Sequence, residues 1–243
     1  VFIETYFHGK TIFPSKTMAA YGFTTQYEKF AGIDPLEIWI REAHKRGIKV
    51  HTWFETFYAG NQSPNDNPNS ILAKNPSWGN KTKKDYASTL PSKSTSEHNG
   101  YFLDPANPYV QDFITKLTEE IITRYKPDGI NLDYIRYPNT VGTNEMSSWG
   151  YTEYARNDFK NIFGVDPIDL VKSDPLWLEW NNYRREKVTN MVKKIGDQGR
   201  RTNTYISAVI FPDRQAALDN KQQDWKTWTT RNYLNAFTPL FLT

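Results

Sequence analysis

The sequence predicts an α/β fold in which parallel strands and helices alternate around a barrel. Three observations favour this class. Short β-rich segments alternate with amphipathic helices along the chain, the helices carry regular capping signals, and no strand is followed by the glycine-rich turn of a nucleotide-binding domain. Five strand candidates are fewer than the eight of a closed barrel. The 243 residues are therefore interpreted as one barrel domain that lacks units at one or both chain ends.

The strand candidates are runs rich in β-branched and aromatic residues. They span residues 1–7, 48–54, 129–135, 204–211 and, as the weakest candidate, 236–242. Their alternation with helices is typical of βαβ units, in which successive strands lie parallel.

Four amphipathic helices are predicted. The first spans 35–46, because Asp34 caps it, Pro35 and Glu37 suit its first turn, and basic residues precede a glycine at its end. The second runs from Asn107 to Pro127, with apolar residues at helical spacing. The third covers 151–163. The fourth starts at 174 and carries an apolar stripe through the following turns.

Composition excludes several functional classes. The net charge is only +3 and the basic residues are scattered, which argues against nucleic acid as a partner. No apolar run approaches the roughly 18 residues of a membrane span. Cysteine is absent, so disulfides and thiolate catalysis are excluded. Aromatic residues make up 15% of the chain, a content that favours a carbohydrate partner because such rings stack on sugars.

No cofactor or metal site is predicted. The four histidines, His8, His44, His51 and His98, show no paired ligand spacing. No Gly-x-Ser-x-Gly turn that would indicate a serine nucleophile is present. Carboxyl groups are therefore the main candidates for chemistry.

Residues 59–106 interrupt the alternation with a long stretch rich in Asn, Ser, Lys, Pro and Gly. Because this stretch follows the second strand, it is expected to be an elaborated loop on the carboxyl rim of the barrel, where such enzymes build binding sites. The alternative is a surface insertion without a role.

The main candidate for a catalytic group is Asp133. The strand period of two sends Ile130, Leu132 and Tyr134 to one face, and Asn131 and Asp133 to the other, which should be the barrel interior. A carboxylate there is costly unless it is paired or needed, and its place near the end of a strand favours catalysis. The alternative is an ion pair with Arg136.

Two further strands direct polar or aromatic side chains to the same interior. Parity places His51, Trp53 and Glu55 on one face of the second strand, and Glu4 beside Tyr6 on the first. Each residue alone is weak evidence, because a lone His or Trp is more often part of a core.

A third carboxyl candidate, Asp213, follows the strand at 204–211, although it could equally cap a turn. Glycoside hydrolysis usually needs two carboxyl groups, one of them with a raised pKa. Asp133 with Glu55 or Asp213 could supply both.

At these residues the sequence resembles the glycosyl-hydrolase-like family 10 proteins. The similarity rests on residues 128–138 (DGINLDYIRYP), 42–54 (EAHKRGIKVHTWF) and 103–108 (LDPANP), together with Asp224-Trp225 and Thr238-Pro239. The resemblance implies a TIM-type (β/α)8 barrel that acts on glycans, in a bacterial protein exported to the cell surface or beyond it, often as a lipoprotein. The family's opening strand and last units have no counterpart here.

The resemblance also implies that Asp133 is the nucleophile, and analogy with other retaining barrel glycosidases points to Asp213 as the acid. The residues expected to shape the sugar subsites are Glu4, Tyr6, His8, His51, Trp53, Asn131, Tyr134, Arg136 and Tyr137. The leading hypothesis is a retaining hydrolase of O-glycosidic bonds. The rival hypotheses are a non-catalytic glycan-binding barrel and a lyase or transglycosylase on the same scaffold.

Overall fold

The computed structural model describes residues 1–142 and 144–240 and contains a curled, half-barrel sheet of six strands. The strands lie in the order β2-β1-β3-β6-β7-β8, and all neighbours are parallel except β2, which runs antiparallel to β1. The incomplete barrel predicted from the sequence is confirmed.

The strands are β1 (Phe2–Phe7), β2 (Lys10–Thr11), β3 (His51–Glu55), β4 (Tyr58–Gly60), β5 (Tyr101–Phe102), β6 (Gly129–Asp133), β7 (Tyr205–Ile210) and β8 (Ala236–Pro239). The five predicted strands correspond to β1, β3, β6, β7 and β8. The residues 241 and 242 that were predicted to end the last strand lie outside the described residues. Three short strands, β2, β4 and β5, were not predicted.

The helices are α1 (Lys16–Ala20), α2 (Pro35–His44), α3 (Ile71–Lys74), α4 (Pro108–Tyr125), α5 (Glu153–Phe163), α6 (Trp177–Thr202), α7 (Arg214–Lys221) and α8 (Trp225–Thr230). The four predicted helices correspond to α2, α4, α5 and α6. Their caps follow the sequence signals: Asp34 caps α2 and Asn107 caps α4 through their side chains. Across residues 1–142 and 144–240, no helix is both long and apolar enough to cross a bilayer.

The outer face of the sheet packs against the helices and forms the main core. Leu132 of β6 is fully buried, and its register partners are Phe54 of β3 and Ala208 of β7. Phe113 of α4 meets this layer through Tyr6, at 6.4 Å between ring centroids. Hydrophobic burial thus fixes which side of each strand faces the helices.

A second, smaller core lies under α5 and α6. Trp180 of α6 stacks on Tyr183. The ring of Phe159 in α5 approaches the Trp180 ring edge-on, with 5.2 Å between the centroids. The Trp180 indole also donates a hydrogen bond to the Tyr151 hydroxyl. These aromatic contacts hold together the parts of the connection between β6 and β7.

The inner face of the sheet begins with an aromatic layer at the amino ends of the strands. The His51 ring lies 5.3 Å from Phe2 and 5.6 Å from Tyr205. Gly129 of β6 is the register partner of both His51 and Tyr205. Because Gly129 has no side chain, the His51 imidazole can occupy the space beside it.

Replacement of Gly129 by alanine is expected to destabilise the protein by about 1–3 kcal/mol, as overpacking does. The added Cβ would lie 2.5 Å from His51 Nδ1 and 2.6 Å from the Tyr205 carbonyl oxygen. Urea unfolding followed by circular dichroism measures the loss. Adding His51→Ala should recover only part of it, because the carbonyl contact remains. An unchanged unfolding midpoint in Gly129→Ala would contradict the packing of this layer.

Candidate functional site

Asp133 closes β6 on the inner face of the sheet, where it is half-buried. Its Oδ1 accepts a hydrogen bond from the Tyr134 backbone N–H at 2.7 Å, and its Oδ2 accepts one from the Trp53 indole at 3.0 Å. Burial raises the pKa of Asp133, while these two hydrogen bonds and the nearby charge of Arg136 oppose the rise. The carboxylate form is therefore directly supported by two donors.

Glu55 ends the neighbouring strand β3, and its Cα is the register partner of Asp133. The side chain is 5% exposed, and its Oε2 accepts a hydrogen bond from the His8 backbone N–H at 2.6 Å. Burial, with smaller contributions from the charges of Glu4 and Asp133, raises the pKa of Glu55 to about 8, although the His8 hydrogen bond opposes the rise. Glu55 is therefore protonated at neutral pH.

The two carboxyl groups have different surroundings. Asp133 is held by two hydrogen-bond donors, whereas Glu55 has one donor and deeper burial. Neighbouring carboxyl groups whose surroundings separate their pKa values can act as a nucleophile and a proton donor. The sequence prediction that these residues share one interior agrees with this arrangement.

A cavity of about 260 Å³ opens in front of Asp133. Its lining is formed by Phe2, Trp53, Asn131, Asp133, Val209, Thr238, Pro239 and Leu240. The Asn131 amide donates hydrogen bonds to the hydroxyls of Ser207 and Thr238, which holds three strands together below the cavity. Glu4 belongs to the same row, because its register partner is Trp53. Within the described part of the chain, no three acidic or histidine side chains converge as a metal-ion site.

The prediction that Tyr134 faces the helices is wrong, because β6 ends at Asp133. Tyr134 adopts a left-handed conformation with φ of 47°, which turns the chain out of the strand. Its ring then stacks on Tyr58 of the rim at 4.6 Å between centroids. This places Tyr134 beside Asp133 at the carboxyl end of β6.

The alternative reading of Asp133 as an ion-pair partner of Arg136 is also wrong. The guanidinium pairs with Glu97, and both side chains are buried. The guanidinium carbon Cζ lies 4.9 Å from the Tyr134 ring centroid. Arg136 therefore reaches the site through Tyr134, and among residues 1–142 and 144–240 Asp133 has no salt-bridge partner.

Of the nine predicted subsite residues, Trp53 and Asn131 line this cavity. Three of the others lie in the core or at the far end of a strand. Tyr6 is turned into the core by a register shift between Glu4 and Tyr6, in which Thr5 is the extra residue, and it stacks on Phe54 at 4.7 Å. His51 lies at the opposite end of β3 from Glu55, about 13 Å away at the rise of a strand. Tyr137 is 1% exposed because the chain after β6 folds back into the protein.

Asp213, predicted as a possible acid, is exposed and caps α7 by accepting a hydrogen bond from the Ala216 N–H at 2.9 Å. The capping alternative raised by the sequence is therefore the one observed. His8 holds Glu55 through its backbone, while its ring is exposed and approaches Tyr58 edge-on at 5.3 Å.

Two residues that sequence reasoning missed, Tyr58 and Glu97, belong to the segment on the carboxyl rim of the sheet, residues 58–106, which is called the rim segment below. The segment contains β4, α3 and β5, and it contacts the site through the Tyr58 ring and the Glu97 carboxylate. Gly100 lies directly against Tyr58, since a Cβ there would be 2.1 Å from the ring. The only signal in the sequence was the length of the segment, because neither residue belongs to a periodic pattern.

Comparisons with known proteins relate this chain to glycosyl hydrolase-like proteins. A family model described as glycosyl hydrolase-like 10 matches residues 1–240. The glycosyl hydrolase DigH of Escherichia coli (strain K12) is 32% identical over 155 residues, which cover 63% of this chain and 34% of that protein. The glycosyl hydrolase YngK of Bacillus subtilis (strain 168) is 28% identical over 225 residues, covering 88% of this chain and 38% of that protein. The chain thus spans little more than a third of these relatives.

Among solved structures, the α-L-fucosidase isoenzyme 2 from Paenibacillus thiaminolyticus superposes with a TM-score of 0.55 and 17% sequence identity. The match covers 86% of this chain and 26% of that chain. At this identity the likeness shows a shared fold.

The burial of Glu55 predicts a pH-dependent stability. Its pKa rises from an ordinary 4.5 to about 8, so the folded state holds its proton more tightly than the unfolded state. The resulting stabilisation is complete below pH 4.5 and is lost as the pH rises to about 8. In Glu55→Gln this loss should disappear, because glutamine does not bind a proton in this range. Each tenfold change in proton affinity is worth about 1.4 kcal/mol.

Urea unfolding of both proteins at several values between pH 4.5 and pH 8 tests this prediction. The unfolding free energy of Glu55→Gln minus that of the native protein should increase with pH across this window. Glu37→Gln, at an exposed position in α2, corrects for the general loss of one carboxylate. A constant difference across the window would contradict the assignment.

Proposed function

The chain belongs to the glycosyl hydrolase-like 10 family, and from this premise we propose that it hydrolyses O-glycosidic bonds in a polysaccharide or oligosaccharide, using Asp133 and Glu55. The observation that carries the proposal is the register pairing of these two residues at the carboxyl ends of adjacent parallel strands. Active sites of barrel enzymes are built at this end of the strands.

In the proposed first step, the Asp133 carboxylate attacks the anomeric carbon while the Glu55 carboxylic acid donates its proton to the departing glycosidic oxygen. In the second step, the ionised Glu55 takes a proton from water, which hydrolyses the ester between the sugar and Asp133. The proton held by Glu55 at neutral pH and the two donors that support the Asp133 carboxylate suit these roles.

The strand spacing suits retention of configuration. The backbones of register partners on neighbouring strands lie about 4.8 Å apart, which allows their side chains to bring two carboxyl groups to the separation of about 5–5.5 Å that retaining glycosidases use, less than inverting enzymes require. Glu55 suits the acid role better than Asp213, because Asp213 is exposed and occupied as a helix cap. The Trp53 ring, which lines the cavity, is suited to pack against a sugar.

A glycan-binding protein without turnover is the alternative from another class. A second carboxyl group beside Asp133 has no evident use in a binding module, because its burial costs stability. The presence of Glu55 in the site therefore favours the hydrolase.

The first test is release of reducing ends from a panel of bacterial cell-wall and exopolysaccharide glycans. Asp133→Asn should lower kcat by more than about 10³-fold, as loss of a nucleophile does. Glu55→Gln should lower kcat by about 10²–10⁴-fold on natural glycans. The loss in kcat/KM should be much smaller on aryl glycosides, because their leaving groups need little protonation in the first step, whereas the second step still lacks its base.

Asp213→Asn is the matched control, because asparagine is an equally good helix cap and the variant should retain both stability and activity. If Asp213→Asn were inactive and Glu55→Gln active, the acid would be reassigned. Glycan binding without any reducing-end release would move the assignment to the binding module.

The pH profile of kcat/KM provides an independent check. Activity needs ionised Asp133 and protonated Glu55, so it should fall on the alkaline side with a pKa of about 8. In Glu55→Gln, assayed on an aryl glycoside, the alkaline fall should vanish. An alkaline limb that survives in Glu55→Gln would mean that another group donates the proton.

A further inference from the structure

We propose that Glu97 positions the two carboxyl groups, Asp133 and Glu55. It holds Arg136 against the Tyr134 ring and so keeps the guanidinium away from Asp133. This inference rests on the proposed function, and it assigns the rim segment a part in arranging the catalytic groups. Glu97 lies in the segment between β4 and β5, far from Asp133 in sequence.

The Glu97 side chain is almost fully engaged. One carboxylate oxygen pairs with Arg136 Nη1, and the other accepts hydrogen bonds from the Asn139 backbone N–H at 2.8 Å and the Ser94 hydroxyl at 3.0 Å. Only 10% of the side chain is exposed. Glu97 therefore joins the rim segment to the loop that follows β6.

Arg136 is equally enclosed, with 6% of its side chain exposed. Its guanidinium lies 4.9 Å from the ring centroid of Tyr134, 5.2 Å from that of Phe211 and 5.8 Å from that of Phe102. Within the described residues, Glu97 is the only carboxylate that pairs with it. A charge that is so far removed from water depends strongly on its partner.

Tyr134 transmits this arrangement to both catalytic candidates. Its backbone N–H donates to Asp133, and its ring stacks on Tyr58, which in turn meets the His8 ring. The backbone N–H of His8 donates to Glu55. A continuous series of contacts therefore leads from Glu97 through Arg136 and Tyr134 to each carboxyl group.

Charge explains why Glu97 matters for chemistry as well as for stability. Arg136 follows Asp133 by three residues and already acts on it electrostatically. Without Glu97, the buried guanidinium would be drawn to Asp133, and a direct ion pair would lower the pKa of this carboxyl group and make it a weaker nucleophile. Lys221 lies 3.9 Å from Glu97, but its ammonium group is bound to Asn139, and as a cation it cannot replace a carboxylate.

The test is Glu97→Gln, which retains a hydrogen-bond acceptor and removes the charge. We expect kcat to fall about 10-fold to 100-fold with a smaller change in KM, on the scale of a misplaced catalytic group. The Asp133 carboxyl carbon, followed by ¹³C NMR and assigned with Asp133→Asn, should titrate with a pKa lower by about 1 or more. Glu97→Asp, which keeps the charge on a shorter side chain, should show the loss in kcat without this fall in pKa.

Asp166→Asn is the matched control, because it breaks a partly buried pair with Arg156 beside α5. It should lower stability and leave kcat and the Asp133 titration unchanged. If Glu97→Gln behaves like this control, Glu97 is merely structural and the inference is overturned. The NMR titration needs no turnover, so an unchanged Asp133 pKa overturns the inference even if no glycan is cleaved. A shifted pKa in a protein without activity sustains it and overturns only the proposed function.

Discussion

The in-register pairing of β3 with β6 is the contact on which both the core and the site depend. A slip of one residue would turn every side chain of a strand to the opposite face of the sheet. The pairing that keeps Phe54 and Leu132 in the core also sets Glu55 beside Asp133 on the inner face. Hydrophobic burial on one side of the sheet therefore holds together two carboxyl groups that would repel each other as anions.

This arrangement explains how one sheet produces two carboxyl groups with different properties. Glu55 is more deeply buried and has a single backbone donor, so its proton is retained. Asp133 lies on the neighbouring strand and accepts two hydrogen bonds. One comes from the Tyr134 backbone N–H, where the chain turns sharply, and the other comes from the Trp53 indole of β3. The left-handed conformation of Tyr134 costs about 1–3 kcal/mol, and it serves the site by aiming a backbone N–H at the carboxylate.

Periodicity and capping signals predicted the parallel strands and the long helices, because local sequence determines both. The inward direction of Asp133, Glu55 and Trp53 followed from the same strand period. The period failed at Tyr6, where an extra residue in β1 reverses the alternation, and at Tyr134, where the strand had already ended. Glu97 and Tyr58 could not be predicted, since their roles arise from contacts between segments distant in sequence. Asp213 shows the converse: its position after a strand suggested chemistry, while its local capping bond decided its role.

The close contact between Gly100 and Tyr58 restricts which substitutions this fold can accept. Any side chain at position 100 would displace the Tyr58 ring, and with it the stack that supports Tyr134. The rim segment is therefore closely packed where β4 and β5 meet. In contrast, the stretch around Pro64–Asp66 is mostly exposed, and its side-chain hydrogen bonds are mainly local. Insertions and substitutions should therefore accumulate in that outer stretch during evolution, while the part next to Asp133 and Glu55 stays constant.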